Sequence, residues 1–475
     1  QMNGIRSFLT TEFGVSGGVE IMTIAEKRNL WLKSYEEGKD VTEKRISDGI
    51  EQNRKGDFKI RFIDKEGNPL KNTEVKFNQK SHEFKFGAHI FMLDEFETEE
   101  DNKKFREIFK EYFNLATVPF YWNALEPNEG KPRFKKDSEK IYRRPSPDLC
   151  LEYCEENGID AKLHCLVYDK FIPDWLPKAD MAEMERLYEK RIKEIAERYK
   201  GKMVEFEVIN ETLIEAWWKN QSVIMNKRDL VEWAFALARK YLPDETLVIN
   251  DGGQAESIYR HDFRSPYFMQ IEKCLMNGAT IDKIGMQHHL FVGATAKNDE
   301  EYEKSIKAPQ YLIQADPKVN FAFLDTMADL GLPIEFTEVT IPTLGDTLED
   351  EEIQAVLLKN LYSVWFSHPA VNTIVYWNQF DGYCYNAGPN ATWNENNCRG
   401  GLFHHDLTPK KSAHMLKKLL TEEWHTEGTL TTDENGYIEF RGFFGDYEFD
   451  VFDEKIIATF GKNGKNDIDL ISGAK

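Results

Sequence analysis

Between about residues 83 and 422 the chain alternates two kinds of hydrophobic pattern. Short, nearly continuous apolar runs occupy 86–91, 113–119, 161–167, 204–210, 246–250, 284–289, 333–338 and 371–377. Amphipathic stretches such as 184–199, 228–241, 351–366 and 409–420 lie between them. A run apolar at every position suits a strand covered on both faces, as in parallel sheets. Apolar residues at helical spacing suit the helices that do the covering. Eight strands, each followed by a helical or long connecting segment over roughly 250 to 400 residues, predict an α/β fold of the (β/α)8 TIM-barrel type. The acidic stretch 349–352 reads as a solvated helix start, where the helix dipole favours carboxylates.

The flanks read differently. Residues 1–21 form a Gly/Ser/Thr-rich leader, with Met22 a natural place for the chain to start, and 22–55 are charged and helix-leaning. Phe58-Lys59-Ile60-Arg61-Phe62-Ile63, the turn cluster from Asp64 to Pro69, and Val75-Lys76-Phe77 predict a β-hairpin. The stretch 424–475 repeats that signature around the turn Glu434-Asn435-Gly436. Neither piece can bury a face alone. The expected organisation is therefore a small accessory β-sandwich assembled from both ends of the chain. Residues 22–82 supply a helical lead-in and hairpin, 423–475 supply the closing strands, and the barrel of 83–422 is inserted between them.

Composition narrows the partners. A net charge of −21, from 82 acidic against 61 basic residues, disfavours nucleic acid and anionic membrane surfaces, which need a basic patch. No run of 18 apolar residues occurs, so no membrane partner is expected. Six cysteines without a CxxC pair suggest reduced thiols rather than a disulfide framework or a zinc site. With no basic and apolar leader visible in 1–21, the balance tilts toward the cytoplasm, and a trimmed leader would look the same. Oligomeric state is left open.

The chemistry is carried by two strand ends. Val208-Ile209-Asn210-Glu211 and Ile334-Glu335-Phe336-Thr337-Glu338 are apolar runs that finish on a carboxylate. Burying a carboxylate costs several kcal/mol, so packing does not explain an acid there. The C-terminal tips of barrel strands are where such folds build their sites. Two acids facing each other are the minimum equipment for cleaving a glycosidic bond, one as acid/base and one as nucleophile. The structural alternative for either acid is a barrel-closing ion pair. No cofactor and no metal is expected: Gln287 and His289 share a strand face, but no third ligand accompanies them.

The strings around these acids resemble glycoside hydrolase family 10, the xylanase family. The likeness runs through His164-Cys165-Leu166-Val167-Tyr168, Asn210-Glu211, Ile249-Asn250-Asp251, Gly285-Met286-Gln287-His288-His289, Thr337-Glu338 and Val375-Tyr376-Trp377, in barrel order. The resemblance implies a retaining glycosidase acting on a carbohydrate such as β-1,4-xylan, with Glu211 as acid/base and Glu338 as nucleophile. It further implies that His289 orients the nucleophile and that Gln287 touches the acid/base region. His164, Asn210 and Trp377 would line the subsite of the sugar that becomes covalently attached.

The departures fall on the sugar-gripping positions. The family's Asn and Lys after the second strand are Val118 and Tyr121 here, its Trp-His pair after the third is Tyr168-Asp169, and its capping Trp near the eighth is Tyr385. The acid that would support the orienting histidine is Thr340. Tyr121, Tyr168, Asp169 and Tyr385 are therefore expected to contact an altered or decorated sugar. Trp122, Trp175, Trp217 and Trp218 are further stacking platforms, with ordinary packing the competing role. Two alternatives accompany this reading: a glycosidase for another β-linked sugar, exo-acting if 298–316 and 382–399 fold over the mouth, and a non-catalytic carbohydrate-binding barrel.

Overall fold

The computed structural model describes residues 21–214, 220–389 and 391–473. Strands β1 (Lys55–Ile63) and β2 (Glu74–Gln79) come first. The next eight are β3 (Lys85–His89), β4 (Leu115–Pro119), β5 (Asp160–His164), β6 (Glu205–Asn210), β7 (Thr246–Asp251), β8 (Lys283–His289), β9 (Ile334–Thr340) and β10 (Val371–Tyr376). They pair in parallel in chain order, and β10 closes onto β3 to complete a barrel. Every predicted run overlaps one of these strands, and the (β/α)8 barrel expected from the pattern is the one that forms.

The covering helices begin where capping chemistry permits. The Asp180 carboxylate accepts from the Glu183 N–H at the start of Met181–Tyr199, and Thr347 forms a capping box with Asp350 ahead of Leu348–Ser367. Glu349, Asp350 and Glu351 occupy the first turn of that helix, as the acidic stretch implied.

The lower barrel interior is charged. Lys162 of β5 crosses to Glu335 of β9, while Lys283 of β8 pairs with Glu205 of β6 and lies 3.3 Å from Glu335. Burial opposes ionisation of Glu335, yet the two ammonium groups hold its carboxyl down to about 2. The barrel-closing ion pairs that competed for Glu211 and Glu338 exist, but lower in the barrel and on different acids.

The last strands are β11 (Glu427–Thr431), β12 (Tyr437–Phe443), β13 (Gly445–Val451), β14 (Glu454–Phe460) and β15 (Asp467–Ile471). They combine with β1 and β2 into two sheets, ordered β12-β1-β15 and β11-β2-β13-β14. The predicted hairpin is not there. The chain does fold back at Pro69, where the Leu70 N–H reaches the Phe62 carbonyl, but β1 and β2 then enter different sheets. The reason lies in their alternation. Phe58, Ile60 and Phe62 face Val75 and Phe77 across a common aromatic core, with Phe58 stacked on Phe460 at 4.3 Å. Facing sheets let each apolar row cover the other, which one ribbon cannot do. The lead-in helices Ile24–Glu37 and Lys39–Asn53 bury their apolar residues on the barrel rather than in the sandwich: Trp31, Leu32 and Ile46 join the barrel core, and Glu51 reaches across to pair with Arg441 of the last strands.

Candidate active site

Two bulges aim the acids. Along β6 the register against β7 skips at Val208, and along β9 the register against β8 skips at Thr337. A bulge reverses the in–out phase of a strand. Glu205 and Glu207 point into the barrel, and after the bulge Asn210 does too. On β9, Glu335 and Thr337 point inward and Glu338 follows immediately. Glu211 leaves β6 with φ +56°, a left-handed backbone that favours glycine and that turns its carboxylate over the barrel mouth.

Gln287 joins the two acids. Its Nε2 lies 2.9 Å from Glu211 Oε1 and 3.0 Å from Glu338 Oε1. The oxygens therefore stand at most 2.9 plus 3.0, or about 5.9 Å, apart. The amide fits because residue 252 is glycine: a Cβ there would fall 2.2 Å from Gln287 Oε1.

Glu338 is 4 % exposed and ringed by donors. Asn250 Nδ2 lies 3.2 Å from Oε1, and His289 Nε2 lies 3.2 Å from Oε2. Burial, joined by the charges of Glu211 and Glu207, pushes the Glu338 carboxyl well above the usual range, against the pull of His164. Burial also lowers His289 to about 4, so its ring is neutral. A neutral ring donating from Nε2 to the carboxylate must accept at Nδ1, where the Thr340 hydroxyl stands 2.9 Å away. Thr340 thus fixes the tautomer without adding a charge.

The other expected residues divide between wall and frame. Tyr168 donates its hydroxyl to Glu211 Oε2. His164 is held between Glu207 at Nδ1 (2.8 Å) and the Tyr121 hydroxyl at Nε2 (3.0 Å). Asn210 Oδ1 accepts from Asn250 at 2.8 Å, and Trp377 presents its ring beside His164, at 5.3 Å between centroids. Tyr385 closes one side of the same cavity. Asp169 does not line it: its carboxylate accepts from Ser222 N and Oγ and from Gln221 N, so it anchors the 220–222 segment instead of touching a ligand. Trp122 and Trp175 pack on each other and both bond to Glu126, serving as frame. Trp217 and Trp218 lie outside the described residues.

The cavity over the acids measures about 600 Å³. Sequence reading missed several of its walls, including Phe91, Arg143, Arg144, Phe171, Trp393 and Glu395. All sit on connecting segments, where no periodicity marks a residue as inward-facing. A second void of about 710 Å³ opens at the opposite end of the barrel, beside Arg54, Lys283 and Phe444, away from both acids. His164, Cys165 and Glu207 offer ligand atoms within 4.8 Å of one another, the one such trio among the described residues. They fit a metal poorly, since His164 Nδ1 is spent on Glu207 and burial pushes the Cys165 thiol well up.

Comparison with known proteins agrees with this geometry. The family model described as "Glycosyl hydrolase family 10" matches residues 78–418. Endo-1,4-beta-xylanase 1 of Arabidopsis thaliana is 22 % identical over 468 residues, covering 97 % of this chain and 42 % of its own length. The anti-sigma-I factor RsgI6 of Acetivibrio thermocellus is 24 % identical, covering 85 % of this chain and 45 % of itself. The chain thus spans less than half the length of these curated relatives. Native xylanase 10B of Thermotoga maritima superposes with a TM-score of 0.54 at 22 % identity, over 72 % of this chain and 96 % of that one.

Proposed function

The chain belongs to glycosyl hydrolase family 10, and from that premise we propose that it is a retaining glycosidase cleaving β-linked, xylan-type glycans. The observation that carries the reading is the Gln287 bridge. An upper bound of about 5.9 Å between the carboxylate oxygens falls short of the ~6.5–9.5 Å that inverting enzymes need for a water, and sits near the ~5–5.5 Å of retaining ones. Glu338, ringed by N–H donors that favour its anion, attacks the anomeric carbon. Glu211 donates its proton to the leaving oxygen, then takes a proton from the water that releases the sugar. Asn210, His164 and Trp377 form the surround of the attached sugar, with Tyr121 and Tyr168 standing where the family grips xylose.

Gln310 and Tyr311 on one side and Tyr385 and Trp393 on the other bring the 298–316 and 382–399 segments to the cavity wall. That enclosure favours a chain end or a short oligosaccharide over an open groove.

The test is turnover of aryl β-glycosides and β-glycans, xylan included, by wild type and by Glu338→Ala, with the product anomer followed by NMR. Retention, loss of several orders of rate in Glu338→Ala, and rescue by azide are expected. Rescue in Glu211→Ala alone would reverse the two roles. Silence of wild type across the panel would favour the binding-barrel alternative that the altered grip at Val118 and Tyr121 leaves open.

A further inference from the structure

The segment between β4 and β5 places two arginines side by side on the cavity wall. Arg133 staples this segment by donating to the carbonyls of Ala124 and Glu139 at 2.8 and 2.7 Å. Arg143 is 6 % exposed, and its Nε and Nη1 are buried without a hydrogen-bond partner. Its backbone is left-handed, with φ +60°. Arg144 lies over the Tyr121 ring at 4.1 Å, and the one hydrogen bond of its guanidinium among the described residues goes to the carbonyl of Arg143. Neither guanidinium has a carboxylate within ion-pair distance among the described residues. Glu395, an acid lining the same cavity, is occupied by neutral donors, Asn378 at 2.9 Å and Trp393 at 3.2 Å. Lys170, over the Tyr385 ring at 5.5 Å, adds a third cation to this wall.

Buried charges in proteins are paired, because an uncompensated one costs several kcal/mol. Lys162, Lys283 and Lys27 in this molecule obey that rule. The buried Arg54, Arg133 and Arg191 donate to backbone carbonyls instead. Among the described residues, by contrast, Arg143 has no partner for its Nε and Nη1 and the half-buried Arg144 guanidinium has only the Arg143 carbonyl, on the wall that also carries the acid pair. Their neighbour Tyr121 bonds His164, which places them on the side of the sugar that becomes attached to the enzyme. We propose that Arg143 and Arg144 form a subsite for an oxyanion carried by that sugar or its substituent, so that the substrate is an acidic glycan. A uronate carboxylate and a sulfate ester share the required chemistry: a flat fork of N–H donors matches either, and carboxylate most closely. With a net charge of −21, the chain as a whole repels such a ligand, so recognition must be local.

This proposal rests on the glycosidase reading for its side of the cleft, but its test is binding rather than turnover. Calorimetry on the full chain carrying Glu338→Gln would compare glucuronate, galacturonate and glucuronic-acid-substituted xylo-oligosaccharides with the same compounds reduced at the carboxyl, and with sulfated xylo-oligosaccharides. Tighter binding of an acidic member over its neutral counterpart by tenfold or more is expected, falling to about twofold in Arg143→Met. The arm that shows the preference identifies carboxylate or sulfate. No discrimination between acidic and neutral members anywhere in the panel overturns the proposal. So does a preference that survives in both Arg143→Met and Arg144→Met while their melting temperatures match the parent. Turnover of a neutral aryl glycoside by wild type reports on the acid pair separately, so failure of either reading is recognisable.

Discussion

Replacing Gln287 by methionine keeps the volume of the side chain and removes the amide shared by Glu211 and Glu338. Were both acids ionised, their charges, at most about 5.9 Å apart, would repel by about 3 kcal/mol or more at an effective dielectric constant of ~20, equivalent to about two pH units in the ionisation of the pair. The amide offsets that repulsion by donating to both carboxylates, and a hydrogen bond to a charged group contributes about 1.5–3 kcal/mol. Glu338 retains the donors Asn250 and His289 in the variant. The expected loss in transition-state stabilisation is about 2–4 kcal/mol, a drop in kcat/KM of roughly 30- to 1,000-fold. The sign of the pH effect follows from the role of Glu338, which attacks only when ionised, so rate is lost as pH falls through its pKa. Burial already raises that pKa, and removing a donor to the anion raises it further. The acid limb of kcat/KM therefore moves to higher pH by about one to two units. A pH series on an aryl glycoside, with thermal melts as a folding control, measures both quantities. A variant within threefold of wild type whose acid limb stays in place would refute the bridge as an organiser of the pair.

Gly252→Ala should reproduce much of that phenotype without touching either acid, because the new Cβ displaces the Gln287 amide; the same pH series checks it. Lys162→Met should destabilise the fold by about 3 kcal/mol in chemical denaturation, since it leaves Lys283 as the one ammonium facing both Glu205 and Glu335 among the described residues of the barrel interior. His288 is lowered to about 3 by burial, so the folded state refuses a proton that the unfolded chain accepts below pH ~6.5. Its contribution is whole above that value and declines as pH falls toward 3, by about 2 kcal/mol at pH 5. His288→Met should flatten that slope in unfolding free energies measured between pH 7 and 5, and an unchanged slope would contradict the assignment.

The barrel was legible because its strands are buried on both faces and leave unbroken apolar runs. The acid pair was legible because a carboxylate at the end of such a run has no packing explanation. The same logic could not rank Glu335 against Glu338, three positions apart on β9, since their different fates depend on a bulge at Thr337 that no local pattern announces. Asp169 misled for a related reason: adjacency to Tyr168 suggested a shared role, while its carboxylate turns to the backbone of a distant segment. The hairpin expectation failed because alternation says which residues face a core, not which strand pairs with which. Arg143 and Arg144 were beyond reach, since a buried unpaired guanidinium looks in sequence like any surface arginine.

The accessory sandwich also sets a schedule for synthesis. Lys59 of β1 pairs with Asp467 of β15, 408 positions later by subtraction. At about 5–20 residues per second, ~20–80 s separate the emergence of the two strands from a ribosome. For most of that interval, until β12 arrives to pair along β1, Phe58, Ile60 and Phe62 form an apolar row on an unpaired strand, which is the sort of edge that recruits other chains. Lys59 and Arg61 alternate with them, and charged positions on the opposite face are how natural edges resist such encounters. The barrel, whose parallel neighbours follow one another in the chain, can close during the wait. The sandwich is thus the last part to form, and a chain halted before residue 467 would leave β1 without its parallel neighbour.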